Sequence, residues 1–156
     1  MNSKPVSESQ VETIELVLPN DTNPLGNILG GRVMHLIDIT ASIAAMRHAR
    51  QRVVTAQTDE LSFHHPIKLG HFIILRASVN YAGKTSMEVG VKVLSEDPVS
   101  GEQKHTSSAY LTFVAVDEEG NPTQVPPLEL ETDEDKRRNR EAKQRREARL
   151  EDRKNI

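Results

Sequence analysis

Apolar and polar positions alternate from residue 11 to 18 around Val11, Thr13, Glu15 and Val17, and the run stops at Pro19 before the turn-rich stretch NDTNPLGN. That pattern predicts a strand followed by a loop. From residue 30 to about 50 the period changes. Val33, Met34, Ile37, Ala41, Ala44, Ala45 and His48 recur at helical spacing on one face, which predicts one long core helix. Asn27 is its candidate cap, the Gly30-Gly31 pair marks its entry, and Arg47, His48 and Arg50 complement the dipole in its last turn. Four runs rich in β-branched and alternating residues follow, at 53–63, 72–81, 86–95 and 105–116, separated by HHPIKLGH, AGK and EDPVSGEQ.

Five strands and one long helix predict an α+β fold with an antiparallel sheet. One helix has too little bulk to bury both faces, so one face is expected to be packed and the other solvated, with an edge free to pair with a second subunit. Past GNPTQVPPL the composition changes to Arg, Lys, Glu and Ala, which cannot build a core. Residues 129–156 are therefore expected to form a frayed or solvated helix, with 11–128 as the folded domain and 1–10 as a disordered lead. At 156 residues one domain is the default. No apolar run approaches the roughly 18 residues of a membrane span, and the first residues show no apolar signal core. The chain contains no cysteine, which rules out disulfides, thiolate metal sites and a cysteine nucleophile and agrees with a cytoplasmic location. Its net charge of −3 gives no global attraction to nucleic acid or an anionic membrane.

Asp38 stands out because its helical neighbours at i−4, i+3 and i+7 are Met34, Ala41 and Ala45. It reads either as a carboxylate on the apolar face, where burial would raise its pKa, or as a solvated residue at the margin of that face. Gly30 and Gly31 read either as an oxyanion or phosphate site at a helix N-terminus or as an ordinary close-packed entry. Asn20, Asp21, Asn23 and Asn27 could all be turn residues. Lys84, Thr85 and Ser86 follow Gly83 at a tight turn, which could hold a phosphate or a pantetheine amide or be a plain hairpin. The histidines, including the His64-His65 pair, have neither HExxH spacing nor cysteine partners, so no metal site is expected, and no GxSxG elbow is present. In the tail, acids interleave with bases and aromatic residues are missing, which argues against nucleic-acid binding.

Taken in order, NDTNPLGNILGGRVMHLID, FHHPIKLGH, AGKTSMEVGVKV and LTFVAVDEEGNPTQVP resemble the acyl-CoA hydrolase branch of the hotdog superfamily, over about residues 11–127. The resemblance implies a sheet of five or six antiparallel strands wrapped round the Gly30 helix, paired edge to edge into dimers, with three dimers in a hexamer. It implies acyl-CoA thioester hydrolysis, with CoA as part of the substrate and no separate cofactor. By matching positions, Asn23 and Asp38 would form the catalytic pair from different subunits, and the Gly31 N–H would face the thioester carbonyl. Gly30, His64, Lys84, Thr85 and Ser86 would contact the substrate or its CoA. Leu29 before the glycine pair and Pro24 after the asparagine depart from the usual pattern. Two other readings stay open: a non-hydrolytic acyl-CoA-binding regulator, and a dehydratase using His35 one turn from Asp38.

Overall fold

The computed structural model describes residues 1–59 and 61–154, and each alternating run becomes a strand of one antiparallel sheet. In chain order the elements are β1 (Lys4–Pro5), β2 (Val11–Leu16), α1 (Gly30–Ala49), β3 (Arg52–Thr58), β4 (Phe72–Ala82), β5 (Ser86–Glu96), β6 (Gln103–Val116), β7 (Leu128–Glu129) and α2 (Asp133–Lys154). The sheet order is β2-β4-β5-β6-β3, which leaves β2 and β3 as its edges, while β1 and β7 form a separate parallel pair. Among the described residues no helix is long and apolar enough to cross a membrane.

The inner face of the sheet is built by period-two alternation. Ile73, Leu75, Ala77 and Val79 of β4, Met87, Val89, Val91 and Val93 of β5, and Ala109, Leu111, Phe113 and Ala115 of β6 are all buried. Against them lie Val33, Leu36, Ile37, Ala41, Ala44 and Ala45 of α1, in one continuous core. The alanines on this stripe let the helix sit close, and α1 touches all five strands. Helix α1 held against a five-stranded antiparallel sheet is the α+β arrangement expected of a hotdog fold.

Several sequence expectations need correction. Residues 1–10 are not a disordered lead: Lys4–Pro5 pairs with β7, and Val6 and Ser9 are buried. The helix cap is Leu29, with no side-chain bond to the first turn. Asn27 instead donates its N–H to the Asn23 side chain. The run at 53–63 leaves the sheet after Thr58, and its residue Glu60 lies outside the described residues. Met34 is only partly buried, whereas Leu36 and Thr40 are fully packed.

The charged tail is not a solvated helix. Residues 133–154 form α2, which lies on the outer face of the sheet with Asp135, Asn139 and Ala142 buried; residues 155 and 156 lie outside the described part. Its attachment is polar. Arg145 makes a two-pronged ion pair to Glu88 at 2.8 and 2.9 Å and stacks its guanidinium 3.7 Å from the Tyr110 ring centre. Asn139 donates to the Asn80 carbonyl, Arg138 donates to Ser78, and Arg149 pairs with Asp59 at 3.4 Å. The outer face expected to be solvated is therefore partly covered, by the segment whose composition excluded an apolar core.

Candidate active site

The loop between β2 and α1 closes on itself. The Asn23 N–H donates to the Asn27 carbonyl at 2.8 Å, and the Gly26 N–H donates to the Asn23 carbonyl at 3.0 Å. Gly26 makes this turn with φ of +79°, a conformation that side chains other than glycine rarely adopt. The Asn23 side chain is oriented from within the loop, because its Oδ1 accepts the N–H groups of Leu25 at 3.0 Å and Asn27 at 3.2 Å. With the oxygen so engaged, the Nδ2 group is the end left to donate to a ligand.

That loop delivers the chain into α1. Arg32 and Val33 both donate their N–H groups back to the Leu29 carbonyl. The N–H groups of Gly30 and Gly31 have no acceptor among the described residues, as expected for the first turn of a helix. Space is open on the side-chain side of both glycines: a Cβ on Gly31 would meet nothing within 4 Å, and one on Gly30 would approach only the Phe63 ring at 3.9 Å. Unpaired donors at the positive end of a 20-residue helix favour an anion or a polarised carbonyl oxygen.

Asn23, Gly30, Phe63, His64, His65 and Ile67 line one open cavity of about 310 Å³. Three of the residues singled out in the sequence, Asn23, Gly30 and His64, thus converge. His64 reaches the cavity because its N–H donates to the Thr106 carbonyl at 2.9 Å, which fixes the loop after β3 against β6.

Asp38 is not in that cavity. It lies eight residues beyond Gly30, about 12 Å farther along the helix axis, whereas proton transfer requires contact at about 3 Å. It is partly buried, so of the two earlier readings the marginal position is the correct one, but it is not merely solvated. Thr55 on the edge strand β3 donates its hydroxyl to Asp38 Oδ1 at 3.1 Å. Thr55 was missed in the sequence because a threonine in a strand is ordinary, and only the register of β3 against α1 brings it to the carboxylate. Around this pair the surface is open and apolar. Val54 is 50% exposed, and Ile39 and Met46, seven residues apart on the same helix face, are 42% and 41% exposed.

Lys84, Thr85 and Ser86 form the tip of the β4-β5 hairpin, where the Gly83 N–H donates to the Ser86 carbonyl. The carbonyls of Lys84 and Thr85 accept from Val125 and Ala115, so the tip is anchored, but it lines neither of the two cavities described here. The larger of them, about 810 Å³, is an open groove between α2 and the outer sheet face and contains none of the expected site residues. Four of its cations, Arg76, Arg137, Arg138 and Arg145, are already paired with carboxylates, and the smaller cavity at the α1 N-terminus, which holds the expected residues Asn23, Gly30 and His64, is the better candidate. Among the described residues no three His, Asp or Glu side chains cluster as metal ligands would.

Residues 25–102 match the family model of the thioesterase superfamily. An uncharacterized acyl-CoA thioester hydrolase of Bacillus subtilis (strain 168) is 41% identical over 82% of this chain and 74% of its own length. Among solved structures, an acyl-CoA hydrolase of Staphylococcus aureus in complex with butyryl coenzyme A and coenzyme A superposes with a TM-score of 0.91. It is 42% identical over 97% of this chain and 92% of that one. An apo-hexameric acyl-CoA thioesterase superposes with a TM-score of 0.94 at 43% identity, covering 97% of both chains. The S. aureus hydrolase has also been solved with single alanine substitutions of an asparagine, of an aspartate 15 positions later and of a threonine 17 positions after that. The chain belongs to the thioesterase superfamily, and its hotdog fold is that of the acyl-CoA hydrolases it superposes on.

Proposed function

We propose that this thioesterase hydrolyses acyl-CoA to a carboxylic acid and free CoA, at a site completed by two subunits. The observation that carries the reading is the division of the expected machinery into two half-sites within one chain. Asn23 and Gly30 meet at one cavity at the start of α1, where the Gly30 and Gly31 N–H groups lack acceptors among the described residues, while Asp38 and Thr55 meet at an exposed sheet edge. A two-fold axis at that edge would bring each cavity to the Asp38 of the partner subunit and would cover Ile39, Met46 and Val54. The spacing of Asn23, Asp38 and Thr55 is the same as that of the three residues replaced in the S. aureus hydrolase.

In this reading the thioester carbonyl lies against the α1 N-terminus, where the N–H of Gly31 and the dipole stabilise the developing oxyanion, and Gly30 permits the approach. Removal of one such donor typically costs on the order of 100-fold in rate. Asn23 Nδ2 orients the thioester or the attacking water. The carboxylate of Asp38, held by Thr55, either takes a proton from that water or attacks the carbonyl carbon to give an anhydride that water then opens. Both routes add one water, break the C–S bond and leave the thiol of CoA. His64 lines the acyl or pantetheine path, and the exposed Lys84 with Thr85 and Ser86 meets the CoA phosphates and pantetheine. Three such dimers assemble as a hexamer, and a solved acyl-CoA thioesterase similar to this chain is hexameric.

The test is thiol release from a panel of short to long acyl-CoAs. Asp38→Ala and Asn23→Ala should each lower kcat on the order of 100-fold or more while keeping the oligomeric mass. A one-to-one mixture of the two variants, unfolded and refolded together, should recover about a quarter of wild-type activity, because half the dimers then carry one intact site. CoA binding without any thiol release by the wild type would overturn the enzyme reading. Inactive mixtures of confirmed heterodimers would overturn the shared site.

A further inference from the structure

We propose that Arg32 is a positioning residue that locks the Asn23 loop to the first turn of α1, so that Asn23 and Gly30 are held at one cavity. The inference rests on the thioesterase reading above.

Arg32 is in an unfavourable place for a cation. It follows Gly31 in the first turn of α1, which has no acidic residue of its own, and a positive charge there opposes the helix dipole. Two carboxylates from other elements offset that cost. Arg32 Nη2 donates to Glu15 Oε2 on β2 at 2.9 Å, and Arg32 Nε pairs with Asp21 Oδ1 at 3.3 Å. The planar guanidinium spans both, which a lysine ammonium cannot do with the same geometry.

Asp21 is the point through which this contact reaches the site. Its Oδ2 accepts the Leu18 N–H at 3.0 Å, and its backbone carbonyl accepts the Leu29 N–H at 2.8 Å. It therefore ties the start of the loop to the residue that caps α1. Thr22, next in sequence, bridges to Ile28, and Asn23 follows with its side-chain oxygen held by Leu25 and Asn27. No other side chain of the α1 first turn reaches this loop among the described hydrogen bonds and ion pairs. Without Arg32 the loop keeps its internal bonds and loses its side-chain brace to the helix and β2. Because the Arg32 and Glu15 side chains are 31% and 40% exposed, the brace contributes little to global stability. Its effect should fall on the geometry of catalysis, where a displacement of about 1 Å can cost on the order of 100-fold.

The experiment compares wild type, Arg32→Gln and Arg32→Lys in the full-length oligomer. It reads kcat and KM for butyryl-CoA, the melting temperature, and hydrogen exchange at the amides of Leu18, Gly26 and Leu29. The expected result for Arg32→Gln is a fall in kcat on the order of 10- to 100-fold, with KM and melting temperature little changed and exchange at Leu18 and Leu29 accelerated. Arg32→Lys should restore part of kcat, since an ammonium can still pair with one carboxylate. The proposal is overturned if kcat stays within about twofold of wild type, if KM alone moves, or if kcat falls only in step with melting temperature. Should wild type release no thiol, the thioesterase reading fails and exchange alone decides the brace. Faster exchange in Arg32→Gln would then sustain it, and unchanged exchange would remove it.

Discussion

Two helices of similar length lie on opposite faces of the same sheet, and they are held by opposite physics. Helix α1 buries Val33, Leu36, Ile37 and four alanines against an apolar face and makes few polar side-chain contacts with the sheet. One of them is Thr40 to Thr13 at 3.2 Å. Helix α2 buries one alanine and is secured by Arg145, Asn139, Arg138 and Arg149 on polar groups of β4, β5 and the end of β3. The first mode tolerates small shifts, because apolar contact is non-directional. The second depends on direction, since Glu88 is only 2% exposed and each of its oxygens has an assigned donor. The helix that packs without direction carries the candidate chemistry, and the directional one braces the sheet from behind.

The largest test of this contrast is on the inner face. Phe113 on β6 is fully buried in the core, and Phe113→Ala should lower unfolding free energy by about 3–5 kcal/mol in urea titrations. A loss below about 1 kcal/mol would mean that the inner face is not the dominant source of stability.

Next comes the outer face, where the sign of the effect depends on how the pair is removed. Arg145→Ala leaves the Glu88 carboxylate under α2 without its main partner and should cost about 2–3 kcal/mol. That is less than for a fully enclosed pair, because Arg145 is 24% exposed. Replacing both partners, as Arg145→Met with Glu88→Leu, should be close to neutral. If the double replacement costs more than the single one, the clamp is a net source of stability and the contrast between the faces weakens.

Legibility in the sequence divides along the same line. Strands β4, β5 and β6 and helix α1 were readable to within about two residues because apolar burial leaves a periodic trace. The docking of α2 left none: Arg145 and Arg149 look like any solvated arginine until Glu88 and Asp59 are brought beneath them by strands far away in sequence. The site behaved similarly. Gly30, Asn23 and His64 were marked by their motifs and line one cavity, whereas Thr55 and Arg32 gave no local signal. Their partners, Asp38, Glu15 and Asp21, are met only through tertiary register.

A smaller effect tests direction without touching charge. Gly90 lies between Glu88 and Lys92 on the outer face of β5, and a Cβ there would come within 2.6 Å of Asn80 Nδ2. Gly90→Ala should therefore push the Asn80 amide off Glu88, costing about 1–2 kcal/mol despite adding a single methyl to a half-open surface. A neutral Gly90→Ala would show that Asn80 can move freely and that this layer is not directional.

The smallest effect is one of slope, and it distinguishes the ends of the two helices by pH. His48 closes α1 inside the core with its Nε2–H donating to the Pro126 carbonyl at 2.8 Å, and its Nδ1 has no partner among the described residues. Burial pushes its pKa below the ordinary histidine value of about 6.5; the Pro126 carbonyl opposes that, the Lys4 ammonium adds to the fall, and Glu8 opposes it. The folded state thus holds His48 neutral at a pH where the unfolded chain has already taken up the proton. Stability from this group is complete above about pH 6.5 and declines as pH falls from there toward the lower folded value. The arginines that hold helix α2 stay charged throughout this range. Urea midpoints measured from pH 7.5 to 5 should drop more steeply for wild type than for His48→Gln, which keeps a donor but does not titrate. Equal slopes would mean that the buried imidazole is not what makes the α1 side sensitive to acid.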